Sequence, residues 1–116
     1  MEFKEKILKE YNIDLPIKGG DGANIESPII IDISQKCNYV SLEKICINYA
    51  CQSDGKKWVM EKQELIIHEG KYIDVINIGI STNGVFEENY KQITFYFDIS
   101  EYIKNSMSVA EFNKVW

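Results

Sequence analysis

Lys57-Trp-Val-Met-Glu-Lys-Gln-Glu-Leu-Ile-Ile-His-Glu-Gly-Lys-Tyr-Ile-Asp-Val-Ile-Asn-Ile-Gly-Ile80 decides how this chain is read. Isoleucine and other strand-forming residues recur on both sides of Glu69-Gly70, and a glycine there supplies the positive φ that a tight hairpin turn needs. The first arm, Lys57 to about Ile67, changes parity part-way. Trp58 and Met60 fall on one face, Leu65 and Ile67 on the other, and a bulge near Glu61–Gln63 reconciles them. The second arm, Tyr72–Ile80, sets Ile76, Ile78 and Ile80 opposite Ile73 and Val75, so both faces are expected to be partly covered.

Working toward the C-terminus, Asn83-Gly84 opens a polar excursion (84–91), and Gln92–Ile99 alternates again. Ile93, Phe95, Phe97 and Ile99 are predicted inward, with Thr94, Tyr96 and Asp98 outward. Ser100 can cap a short turn over Glu101–Asn105, and Ser108-Val-Ala-Glu111 has capping-box spacing for a helix over Val109–Trp116. Toward the N-terminus, Ser53-Asp54-Gly55-Lys56 reads as another tight turn. Before it, Leu42–Cys51 alternates as a strand, with Ile45, Ile47, Tyr49 and Cys51 on one face and Lys44, Cys46, Asn48 and Ala50 on the other. Pro28–Ile33 is the first predicted strand, and Gly19–Ser27 an ordered loop leading into it. Met1–Tyr11 reads as a helix with Phe3, Ile7, Leu8 and Tyr11 on one face and Glu2/Lys6 and Glu5/Lys9 as i,i+4 pairs. The expected fold is a single α+β domain over residues 1–116. It is an antiparallel meander of about five strands with an N-terminal and a short C-terminal helix packed on it.

Composition narrows the chemistry. All 13 basic residues are lysines against 18 acids, a formal charge of −5, and there is a single histidine. Arginine, the usual two-point clamp for phosphate and carboxylate, is absent, and histidine is the usual base at neutral pH. An acidic surface repels phosphate backbones, so nucleic acid is not an expected partner, whereas a basic protein is. The longest clean apolar run, Ile29–Ile31, is far too short to span a bilayer, and nothing resembles a signal peptide. Cys37, Cys46 and Cys51 form no CxxC pair, so no disulfide framework, metal site or cofactor is indicated, and reduced thiols in the cytoplasm are expected.

Each local motif has a plain reading. Gly19-Gly20-Asp21-Gly22 could cradle an anion, but a strand follows it and Asp21 would repel phosphate, so a turn with positive-φ glycines is favoured. His68 beside Glu69 reads as a solvated turn histidine, and the thiols as inert. Phe86, Glu87, Glu88 and Tyr90 suggest a loop rim for a basic partner, since aromatics dominate interfaces and charge tunes approach. Asp54, Glu69, Tyr96 and Asp98 would extend that patch.

A resemblance covers most of the chain. The short charged helix, Leu15-Pro-Ile-Lys-Gly-Gly-Asp-Gly22, Ser27-Pro-Ile-Ile-Ile-Asp32, Lys57-Trp58 to Gln63-Glu-Leu65, Gly70-Lys-Tyr-Ile-Asp74 and Phe95-Tyr-Phe-Asp-Ile-Ser100 resemble small bacterial immunity proteins of contact-dependent and polymorphic toxin systems. The resemblance implies a non-enzymatic inhibitor that binds a cognate toxin domain and occludes it; it carries no individual contact residue across. Two other readings stand beside it. One is a small enzyme or ligand-binding cup drawing on Tyr49, Trp58, Tyr72, Asp74 and Tyr96. The other is a homo-oligomeric component pairing through a sheet edge, so that the chain is a monomer or a homodimer.

Overall fold

The computed structural model describes residues 3–32, 39–52, 57–81 and 91–106. In chain order these form α1 (Phe3–Tyr11), β1 (Ile17–Gly19), β2 (Ile29–Ile31), α2 (Tyr39–Gln52), β3 (Lys57–His68), β4 (Lys71–Ser81), β5 (Lys91–Asp98) and α3 (Ser100–Ser106). The class is α+β. The five strands form one sheet in the order β1-β2-β5-β4-β3.

The hairpin read from the sequence is present in detail. β3 pairs antiparallel with β4 from Lys57↔Ser81 to His68↔Lys71, with a register shift between Met60 and Lys62 that leaves Glu61 as the extra residue. The bulge puts Trp58, Met60, Leu65 and Ile67 opposite Ile80, Ile78, Asp74 and Tyr72, so all four share one face. Glu69 and Gly70 both have positive φ, 51° and 76°, as a two-residue hairpin turn demands. β5 adds to the other side of β4 antiparallel, with Phe95↔Ile76 and Phe97↔Asp74.

Two expectations are corrected. The sheet is mixed: β2 runs parallel to β5, Ile29↔Phe97 and Ile30↔Asp98, so the topology is not a simple meander. Leu42–Cys51 is not a strand but most of α2. The buried residues Tyr39, Leu42, Glu43, Cys46, Ile47 and Cys51 follow a helical stripe, while Ile45 is exposed. Glu43 lies within that stripe, and a charged residue type there breaks the apolar pattern on which a helical reading depends. The sheet reaches five strands through β1 instead. Ile17–Gly19, part of it assigned to a loop, pairs antiparallel with β2.

The core lies on one face of the sheet. Ile76, Ile78, Ile80, Phe95 and Phe97 form one cluster with Phe3 and Ile7 of α1, Leu42, Cys46 and Ile47 of α2, and Ile103 of α3. The Trp58 indole donates to Asn48 Oδ1 at 2.6 Å, tying β3 to α2. α1 ends where Asn12, at φ 57°, caps it by donating its N–H to Leu8 O. At α3 the Ser100 N–H donates to Asp98 Oδ1 at 2.9 Å, and Ser100 Oγ accepts from the Tyr72 N–H. Ser100 therefore anchors the helix to β4, and Asp98 satisfies the exposed helix donor. The proposed helix over Val109–Trp116 lies outside the described residues.

The second face of the sheet carries Ile30, Ile73, Val75, Asn77, Thr94 and Tyr96, with Thr94 Oγ1 donating to Asn77 Oδ1 at 2.5 Å. The loop between β1 and β2 crosses it. Its Gly22 O accepts from the Tyr96 N–H at 3.0 Å, and Glu26 reaches His68, two strands further on, at 3.4 Å.

Candidate functional site

Of the surface patch proposed from the sequence, Glu69, Tyr96 and Asp98 are among the described residues. Glu69 sits at the β3–β4 turn, and Tyr96 lies half-buried on the second face. Asp98, expected to point outward to a partner, is only 6% exposed and is engaged as the α3 cap. Asp54, Phe86, Glu87, Glu88 and Tyr90 lie outside the described residues. The described residues that flank them, Lys57, Ser81 and Lys91, are at the sheet end opposite Glu69. The eleven residues of β4, at about 3.3 Å each, put roughly 33 Å between those ends.

β3 is the more informative surface. It is an edge strand of 12 residues, none of them buried, and among the described residues nothing pairs with its outer side. Val59 is 44% and Ile67 70% exposed, one on each face. An edge of this length presents a row of backbone donors and acceptors, which is how extended segments of other chains are captured. The bulge at Glu61 and the Lys62–Glu64 ion pair (3.7 Å) blunt its middle. Gln63–His68 is the regular, less protected half.

A second feature was not foreseen: a carboxyl pair sealed inside the core. Glu43 of α2 is 1% exposed and Asp74 of β4 0%. The Gln63 amide, placed beside Asp74 by the bulged strand, donates to Asp74 Oδ2 at 2.7 Å. Neither Glu43 oxygen nor Asp74 Oδ1 receives a hydrogen bond from any other donor. Two carboxylates cannot satisfy each other, but a carboxylic acid can donate to a carboxylate. Burial, then the hydrogen bond to Asp74 and the charge of that group, push the Glu43 carboxyl up to about 11. Burial beside Asp74 therefore favours Glu43 as the neutral acid, the form able to share its proton with Asp74. In sequence it is an unremarkable member of Leu42-Glu-Lys44; only the helical reading of 39–52 would have turned it inward.

This pair bears on the enzyme reading, which a cup lined by several of Tyr49, Trp58, Tyr72, Asp74 and Tyr96 with one carboxyl of raised pKa would promote. Such a carboxyl exists, and Tyr49, Trp58 and Tyr72 pack against the same core. The oxygens, however, are closed to solvent, and Tyr96 is on the other face. No substrate reaches an acid held in that way. The pair lies where α2 meets β4 inside the core.

Three further motifs resolve. The glycine loop turns its N–H groups inward: Gly20 donates to Pro28 O, Gly22 to Ser27 O, and Ala23 to Asp21 Oδ1. Those donors are taken, so the loop is a turn and not an anion cradle. Cys46 and Cys51 are buried and are not joined in a disulfide. His68 is not the freely solvated side chain expected; its Nε2 is closed to solvent and faces Glu26. At the far edge of the sheet Lys18 of β1 bonds Glu101 at 3.1 Å, which raises its pKa, first through that hydrogen bond and then through the charge of Glu101.

No family model, no curated protein and no solved structure matches this chain. Among the described residues no helix is long and apolar enough to cross a membrane.

Proposed function

We propose that this protein is a non-enzymatic inhibitor, an immunity protein that neutralises a bacterial toxin domain by binding and occluding it, and that the outer edge of β3 takes part in the grip. The observation that carries the reading is a 12-residue edge strand with, among the described residues, no strand on its outer side and with Val59 and Ile67 exposed on its two faces. A partner segment that adds as a strand gains main-chain hydrogen bonds along Gln63–His68 and contacts with the alternating side chains. Occlusion follows when that segment belongs to the partner's working surface.

The net charge of −5 favours a basic partner and hastens encounter with it. The edge strand itself is balanced, with Lys57 and Lys62 against Glu61 and Glu64. Long-range charge therefore steers, while backbone and apolar contacts hold. Glu43, the strongly perturbed carboxyl among the described residues, is sealed from solvent, which favours this reading over the catalytic one.

The test uses a toxic domain encoded beside the gene. Co-expression with the chain restores growth, and the purified proteins form a complex. Ile67→Lys weakens that complex at least tenfold while circular dichroism stays unchanged. Failure to protect, or turnover of a small substrate by the chain alone, contradicts the proposal. Light scattering separates the homodimer reading, because a dimer paired through β3 would already occupy the edge.

A further inference from the structure

The second face of the sheet brings together the only histidine in the chain and two carboxylates from distant points in the sequence. Glu26 comes from the β1–β2 loop, His68 from the end of β3, and Glu69 from the hairpin turn. One ligand-type atom from each lies within 4.8 Å of the other two, and His68 Nε2 is 3.4 Å from Glu26 Oε1. That nitrogen is closed to solvent yet makes no hydrogen bond, even to the carboxylate it faces. An imidazole nitrogen closed to solvent that faces a carboxylate at 3.4 Å without a hydrogen bond leaves a position a ligand can fill.

We propose that Glu26, His68 and Glu69 form a binding site for a divalent transition-metal ion, with zinc the best match. Metal–ligand bonds of about 2.0–2.1 Å in a tetrahedron set neighbouring donor atoms about 3.4 Å apart, the spacing found between His68 Nε2 and Glu26 Oε1. One imidazole with two carboxylates suits zinc, whereas calcium and magnesium take all-oxygen sets. Two carboxylates and a neutral imidazole balance the ion's charge. Three protein ligands leave the fourth position for water. The exposed Glu26 and Glu69 close in by rotamer adjustment, and the ion then clamps the loop to the hairpin across the second face. This inference is independent of the inhibitor reading.

Because the chain has one histidine, its imidazole proton resonances are unambiguous. Purified apo-protein is titrated with zinc chloride, followed by proton NMR and by calorimetry. The expected result is saturation of the His68 shifts at one equivalent, with the dissociation constant raised at least 100-fold in His68→Ala and at least tenfold in Glu26→Gln and Glu69→Gln. His68 resonances that stay in place at millimolar zinc overturn the site. So does an affinity unchanged in His68→Ala, which would place the ion on thiols or scattered carboxylates. Loss in His68→Ala with no change in Glu26→Gln overturns the three-residue set. Glu26 is an exposed loop residue, so its variant keeps the test intact should the histidine variant fail to fold.

Discussion

Replacing Glu43 with glutamine changes how stability depends on pH, and the structure fixes the sign. In the unfolded chain Glu43 titrates near its ordinary value of 4.5; in the folded chain its pKa is raised to about 11 by burial and by Asp74. Between those values the native state holds a proton that the unfolded state has lost. The stability from this group is complete below the unfolded value and declines as pH rises toward the folded one. The slope is about −1.4 kcal/mol per pH unit, so roughly 4 kcal/mol is lost between about pH 5 and about pH 8. That is a large share of the ~5–15 kcal/mol typical of a domain. It requires only that the folded pKa lie well above the window.

Glutamine has the same shape, donates an amide N–H to Asp74, and does not titrate. Its stability relative to wild type should therefore improve by about 1.4 kcal/mol for each pH unit across that window. Asp74→Asn separates the causes: burial is the larger influence on Glu43, so most of the slope survives in that variant. Urea unfolding at several pH values, read by the fluorescence of Trp58 against α2, measures all three proteins. Parallel pH profiles for wild type and Glu43→Gln would refute the buried neutral acid.

Four further outcomes follow from particular contacts. Gly20→Ala places a Cβ 2.4 Å from Ser27 O, so thermal denaturation should show a loss of about 2 kcal/mol or more. Glu69→Asn relieves a non-glycine residue at φ 51° and should raise the denaturation midpoint by a few tenths to about 1 kcal/mol. Glu43→Ala removes the donor to Asp74 and leaves a hole under α2, and should cost about 3–5 kcal/mol by urea unfolding at neutral pH. Glu87→Lys with Glu88→Lys tests whether that acidic pair touches the toxin: a weaker complex with an unchanged fold places it in the contact, and an unchanged dissociation constant removes it.

The hairpin was legible because its signals are local. Asp74–Ile80 alternates cleanly, Glu69-Gly70 can turn in only a few ways, and the parity break between Met60 and Leu65 demanded an extra residue, found at Glu61. α2 was not legible because its stripe contains Glu43, whose inward position depends on a proton and on a partner 31 residues away. β1 escaped because three residues carry no periodicity, and its pairing with β2 is set by the glycine loop between them. The parallel step from β2 to β5 is a long-range choice with no local mark. Of the surface residues named from sequence, Asp98 was misplaced because strand parity shows its direction but not the helix end that covers it. The approach of Glu26 to His68 depends on a loop crossing the sheet, which no spacing rule reveals.

The most direct measurement is hydrogen exchange of the chain alone and in complex with the toxic domain proposed as its partner. Amides on the outer side of β3, above all within Gln63–His68, should exchange quickly in the free protein and become protected on binding, with the β4–β5 pairing unchanged. Protection confined to other surfaces, with the β3 edge exchanging as fast in the complex as in the free chain, would contradict strand capture.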